Sequence, residues 1–265
     1  ALVAPSAVPF TPGGAERLWS GLTTYVNRDT EHAMELIKLP SPERNFREIV
    51  QSYRQFSSLD LDHFDMVIST KYPAWMVAHA NHVVYLQHTL RGLYDTYPVL
   101  LPLRPREIPG SIAPLWDLLQ RPMLDRSALP DLFGRLESLQ SDAGIPADVK
   151  ERLVAFPGPL ARAFVHALDR IGLGKNAVRR HFAISRTVAQ REGYFPPGAA
   201  VEVVPHPSDL EGFRQEPGEF IFTASRLDGP KRLDLVIRAY RRCRTDAPLV
   251  IAGEGPAGAA LRTLA

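Results

Sequence analysis

A chain of 265 residues, 45% apolar and 23% charged, has the composition of a globular protein; it excludes the disordered and fibrous classes, and its length suits two domains of ordinary size. A formal charge of +2 argues neither for nor against a nucleic-acid partner, and none is expected. The single cysteine, Cys243, excludes an internal disulfide framework and fits a reducing compartment, with its thiol expected as a buried or half-buried bystander. No apolar run approaches the roughly 18 to 20 residues that cross a bilayer, and ALVAPSAVPF lacks the basic flank of a secretion signal. A cytoplasmic location is expected, with peripheral contact at the inner membrane face left open.

In chain order, ALVAPS, AMELIKL, DMVISTK, HVVYLQH, HFAIS and VEVVPH are short apolar runs rich in β-branched residues, each closing on small or polar residues. Such runs suit strands buried on both faces of a parallel sheet. After Gly14, the residues Ala15, Leu18, Trp19, Leu22, Tyr25 and Val26 form one apolar stripe at helical spacing. Strand, loop and helix in this order predict an α/β fold. From Tyr97 to about Pro159 prolines are frequent and strand signals vanish, so residues 97–160 read as a helical insertion, with SIAPLWDLL as its most apolar part. KNAVRRHFAISRTVAQREGYF then restores the sheet, FAIS as a strand and RTVAQREGYF as the start of a helix.

Two prolines and a polar stretch break the periodicity over residues 207–219, as an interdomain linker does. Residues 1–206 are thus expected as a first Rossmann-like domain. A second α/β unit spans 220–265, with EFIFTASRL as strand, KRLDLVIRAYRR as helix and APLVIAGEG as strand. Leu233, Val236, Ile237 and Tyr240 fall on one face of that helix, and Pro230 suits its first turn. One strand, one helix and one strand are too few to be stable alone, so more of this second domain is expected than the sequence contains.

Four stretches carry candidate chemistry. Arg226 ends a strand at the sheet edge where α/β proteins bind ligands, and Lys231 is predicted to open the following helix. The two cations read as a diphosphate clamp, or as solvated surface charges. In PFTPGGAERL, Gly13 and Gly14 precede a helix, and bare backbone there lets a ligand approach the helix amino end; a plain tight turn is the competing reading. His88 follows a buried strand and so stands at the same edge, able to bond a hydroxyl or phosphate, or merely to cap a loop. Arg91 and Tyr94 follow it at helical spacing and extend that surface. Gly253, Glu254 and Gly255 close the last strand as a place for a nucleotide base or ribose, or simply as a turn. KNAVRR with Arg186 and Arg191 is a basic concentration that suits anionic headgroups or an ordinary solvated helix surface. The histidines are scattered and no carboxylates have ligand spacing, so no metal site or cofactor is expected.

SRLDGPKRLDLVIRAYRR followed by LVIAGEGP, supported by PGGAERL, ISRTVAQREGYF and VEVVPHPSD, resembles the retaining glycosyltransferases of family four. The resemblance implies the GT-B architecture of two facing Rossmann-like domains. It implies that Arg226 and Lys231 bind the donor diphosphate, that Gly14 lets the sugar-phosphate lie against the first loop, and that His88 lines the sugar and acceptor site as the catalytic residue. YLQHTLRGLYD further looks like bacterial transferases that act on lipid-linked or polysaccharide acceptors. The family's spaced pair of glutamates and its final crossing helix lie beyond the strand ending IAGEG, outside this sequence, and the first strand is short. A nucleotide-diphosphate-sugar would be the donor and a glycan or lipid-linked molecule the acceptor, with the departing diphosphate taking the acceptor proton. Two other functions stay open: a non-catalytic binding module derived from such an enzyme, and a sugar-nucleotide epimerase of the same architecture, for which acid and base carboxylates are not identified.

Overall fold

The six apolar runs from ALVAPS to VEVVPH all enter one parallel sheet in the computed structural model, which describes residues 1–6, 13–97, 110, 112–207 and 218–265. The strands are β1 (Leu2–Ser6), β2 (Leu36–Pro40), β3 (Val67–Lys71), β4 (His82–His88), β5 (Arg180–Ala183) and β6 (Val201–Val203). Their order is β2-β1-β3-β4-β5-β6. Leu2 therefore pairs with Leu36 on one side and Ile68 on the other, and the strand order reverses between β1 and β3. In an open parallel sheet, such a reversal leaves a crevice at the carboxyl ends of the two strands.

Side-chain alternation splits the sheet into two faces. Leu2, Ala4 and Tyr85 face α1 (Gly14–Asp29) and meet its Leu18 and Trp19. Val3, Val67, Val84 and Leu86 face the larger core, covered by α2 (Phe46–Ser57) and α6 (Pro159–Gly172). Asn45 starts α2 by accepting the Glu48 N–H at 3.0 Å, and Phe46, Ile49, Tyr53 and Phe56 make its buried stripe. After Tyr97 the described residues form helices joined by turns and loops, with no strand before β5: α3 (Ala113–Leu119), α4 (Leu129–Ser141) and α5 (Ala147–Leu153) precede α6. These helices do not stand apart, since Leu118, Leu132, Leu136 and Phe164 share one core with the sheet. Helix α6 went unpredicted, although Leu160, Phe164, Leu168 and Ile171 mark its buried face and Pro159 its start.

RTVAQREGYF does start a helix, α7 (Arg186–Ala189), capped by Ser185; it is short, closing at Gln190 before the chain turns through Gly193 at φ 75°. One expectation about local structure fails. The Cys243 thiol is exposed rather than buried, since Arg241–Arg244 lie on the open side of a turn.

The chain divides into two compact units, Ala1–Asp209 and Leu210–Ala265. Most of the predicted linker, residues 208–217, lies outside the described residues. In the second unit β7 (Ile221–Ala224) and β8 (Leu249–Ala252) pair in parallel, joined through α8 (Leu233–Tyr240) and followed by α9 (Gly258–Leu264). Leu233 and Ile237 are buried and Val236 and Tyr240 half-buried, as the spacing requires. Among the described residues no helix is long and apolar enough to cross a membrane.

Candidate functional site

In the first unit the carboxyl ends of β3 and β4 bring together residues far apart in the sequence. Lys71 and His88 are register partners. The His88 ring lies 5.8 Å from Tyr72, and the Lys71 ammonium stands 5.2 Å above the same Tyr72 ring. Lys71 is only 15% exposed, and its one carboxylate partner among the described residues, Glu43, is a loose 3.7 Å away. Burial first, then the Glu43 carboxylate, raises the Tyr72 phenol far above its ordinary value. Thr70 Oγ1 and Gln87 Nε2, at the same strand ends, are buried without a hydrogen-bond partner among the described residues, which is uncommon in folded proteins.

His88 has a defined chemical state. Its Nδ1 lies 2.8 Å from the Thr89 carbonyl, which can only accept, so the proton sits on Nδ1. Burial, and then the neighbouring Lys71 charge, push its pKa down to about 4. The imidazole is neutral near pH 7, and Nε2 carries a lone pair that makes no hydrogen bond with the described residues. Such a nitrogen accepts a hydrogen bond from a hydroxyl, but at roughly three units below neutrality it is too weak to retain the proton. His88 is thus equipped to position a hydroxyl rather than to act as the catalytic base.

The neighbours assigned to this surface behave differently. Arg91 sits on the short 3-10 turn Arg91–Leu93 and is tied to Asp95 at 2.9 Å. Tyr94 does not extend the surface: its hydroxyl donates to buried Asp169 at 2.7 Å and its ring stacks on His166, so it belongs to the core. Gly13 caps α1, but the Glu16 carboxylate accepts its N–H at 2.9 Å and so holds the place an incoming anion would take. A Cβ on Gly14 would meet nothing within 4 Å, so open space lies beside it. The basic cluster is not a continuous free face either. Arg180 pairs with Glu202, and Arg191 with Asp95 and the Tyr194 hydroxyl.

In the second unit, Arg226 and Lys231 share one tight loop after β7. The Asp228 N–H donates to the Arg226 carbonyl at 2.9 Å, and the Lys231 N–H donates to the Asp228 carbonyl at 3.0 Å. Both side chains are exposed. Arg226 has a single loose ion pair, 3.6 Å to Asp228, of a kind worth little in water, and Lys231 has none among the described residues. Lys231 does not open α8, as predicted. It ends a 3-10 turn, Gly229–Lys231, that includes Pro230, and Arg232 in the left-handed region (φ 52°) separates that turn from the helix at Leu233.

Gly253 and Gly255 have a structural task. At φ 145° and 156° they let residues 253–255 lie against the Ser225–Leu227 backbone, where Leu227 N–H donates to Glu254 O at 2.8 Å. A Cβ at Gly253 would fall 1.9 Å from Ser225 O, and one at Gly255 2.4 Å from Leu227 O. The two glycines therefore hold the strand that carries Arg226, whatever else touches them. Gly253→Ala is expected to loosen this loop, raising amide exchange over residues 225–227, whereas Gly229→Ala, whose Cβ meets open space, should leave it unchanged. Equal exchange in the two variants would remove this account of Gly253.

Comparison with family models, curated proteins and solved structures finds no match to this chain. Among the described residues no group of three or more His, Cys, Asp or Glu is placed to hold a metal ion. Lys71, Tyr72 and Glu43 were missed in the sequence. The usable signal was the polar end of DMVISTK, where a lysine closes a buried strand at the edge already assigned to ligands.

Proposed function

We propose that this chain carries the binding machinery of a retaining glycosyltransferase that moves a sugar from a nucleotide-diphosphate-sugar to a glycan or lipid-linked acceptor. The observation that supports it is the Arg226 loop. Two exposed cations without a tight carboxylate partner, set on one short hydrogen-bonded turn at the carboxyl end of β7, suit the diphosphate of such a donor. Charge that builds on the departing phosphate is stabilised by Arg226 and Lys231, in the manner of an electrostatic clamp. The neutral His88, with its free Nε2, accepts a hydrogen bond from a sugar or acceptor hydroxyl. Because His88 is a weak base, the acceptor proton goes to the leaving diphosphate.

Arg226→Ala or Lys231→Ala is expected to lower release of nucleoside diphosphate from a sugar donor by about 10² or more. Unchanged turnover in both variants would end the clamp assignment. One observation favours a second reading, a non-catalytic binding module: the Glu16 carboxylate already occupies the Gly13 amide where a phosphate would sit. Calorimetry with nucleoside diphosphates separates the two, because heat of binding that disappears in Arg226→Ala supports the donor site and its absence supports the module.

A further inference from the structure

A cavity of about 1030 Å³ lies between the turn joining α3 to α4, the C-terminal half of α6 and the loops leading into β5 and β6. These loops, Gly174–Ala177 and Glu192–Pro197, enter the amino ends of their strands, whereas His88 closes β4 at the carboxyl edge. The cavity shares no lining residue with the Glu43, Lys71 and His88 group or with the Arg226 loop. Its size matches pockets that enclose a small organic molecule.

We propose that this cavity binds a small molecule with an oxyanion head, phosphate or carboxylate, and an apolar body. Three cations line it: Arg126, Arg170 and Lys175. None has a carboxylate within ion-pair distance among the described residues. Both guanidinium groups are fixed at one nitrogen by backbone carbonyls. Arg126 Nη2 donates to Met76 O, and Arg170 Nη2 donates to Leu119 O at 2.6 Å. The Arg126 Nη1 is left buried with no partner among the described residues, an arrangement that costs free energy unless an acceptor comes to it. Anchored guanidinium forks are pre-organised for oxyanions, and the exposed Lys175 adds a mobile charge at the rim.

The carboxylates on the wall do not cancel this. Asp169 is committed to Tyr53, Trp75 and Tyr94, and Asp125 to the N–H and hydroxyl of Ser127. Glu192 is exposed. Leu173, Ile171 and Phe195 supply the apolar wall, which gives the ligand's body a surface to cover.

The test uses the full chain carrying Arg226→Ala and Lys231→Ala, so that phosphate captured by the proposed donor loop cannot imitate the result. It is titrated with phenyl phosphate, with separate arms of inorganic phosphate and benzoate, by calorimetry and by the ring resonances of His166, which lines the cavity. Saturable binding of phenyl phosphate or benzoate is expected, tighter than inorganic phosphate, with a moving His166 signal. Lys175→Glu, at an exposed position that leaves the fold intact, should weaken it by about tenfold. The arm that binds more tightly assigns the head group. No saturable heat in any arm, inorganic phosphate binding as well as both aromatic probes, or binding that ignores Lys175→Glu and leaves His166 unmoved overturns the proposal. Each of these outcomes is independent of whether the donor loop works.

Discussion

Between pH 6.5 and 4 the first unit is expected to lose several kcal/mol of folding stability, because three histidines are held neutral in its interior. His82, His88 and His166 each have a pKa pushed down to about 4, in every case chiefly by burial. His82 is wedged between the Ser69 hydroxyl and the Ala177 carbonyl, and His166 Nε2–H donates to the Leu93 carbonyl at 2.9 Å. In the unfolded chain a histidine protonates near 6.5, so unfolding takes up a proton at each site throughout this window. Their contribution is complete above pH 6.5 and declines as pH falls toward 4. A difference of about 2.5 units is worth about 3 kcal/mol for each histidine. Asp169 runs the other way. Burial raises its carboxyl to about 6, above its unfolded value, so acidification through 6 adds up to about 3 kcal/mol. Three against one leaves a net loss. Urea midpoints from pH 7.5 to 4.5 measure it, and His166→Gln should lose its share of the slope while starting from lower stability. A flat midpoint over the window would show that these rings are not neutral captives of the fold.

The strands were legible because burial on both faces forces continuous apolar runs, and Leu2 to Ala4 and Val84 to Leu86 obey that rule. The helical region after Tyr97 was legible as a loss of strand character. What could not be read is set by the three-dimensional neighbourhood. Nothing in KRLDLVIRAYRR marks Arg232 as the left-handed residue that detaches Lys231 from the helix. Tyr94 falls at helical spacing after Arg91, but a buried carboxylate seventy-five positions away draws it inward. The glycines of GEGP invite a ligand in the sequence, and the structure assigns them to a backbone 1.9 to 2.4 Å from where a Cβ would stand. His88 was found at the sheet edge by the strand before it. Its weak basicity comes first from burial and then from Lys71, whose place beside it follows from the β3–β4 register and not from either local stretch.

Asp169→Leu is expected to destabilise the first unit by about 3 to 5 kcal/mol, the cost of breaking a buried polar network from one side. Asp169 is 2% exposed and accepts three hydrogen bonds: from Tyr53 and Trp75 to Oδ1 at 2.7 and 2.8 Å, and from Tyr94 to Oδ2 at 2.7 Å. The donors come from α2, from the 3-10 turn Ala74–Met76 after β3, and from the turn after β4, so one carboxylate on α6 joins four parts of the core. Leucine is close in volume and fills the space, which keeps the cavity cost small. It leaves two hydroxyls and an indole N–H without acceptors, and each such orphan costs about 1 to 3 kcal/mol. Asp169→Asn separates charge from hydrogen bonding. Its carbonyl serves Tyr53 and Trp75, its amide can donate to the Tyr94 oxygen, and the buried charge is gone. It should cost far less than leucine at pH 7 and make the acid loss steeper, since the opposing titration disappears. If leucine at this position moves the urea-derived stability by less than about 1 kcal/mol, the network is not what joins α6 to α2 and the strand ends, and apolar packing alone must hold it.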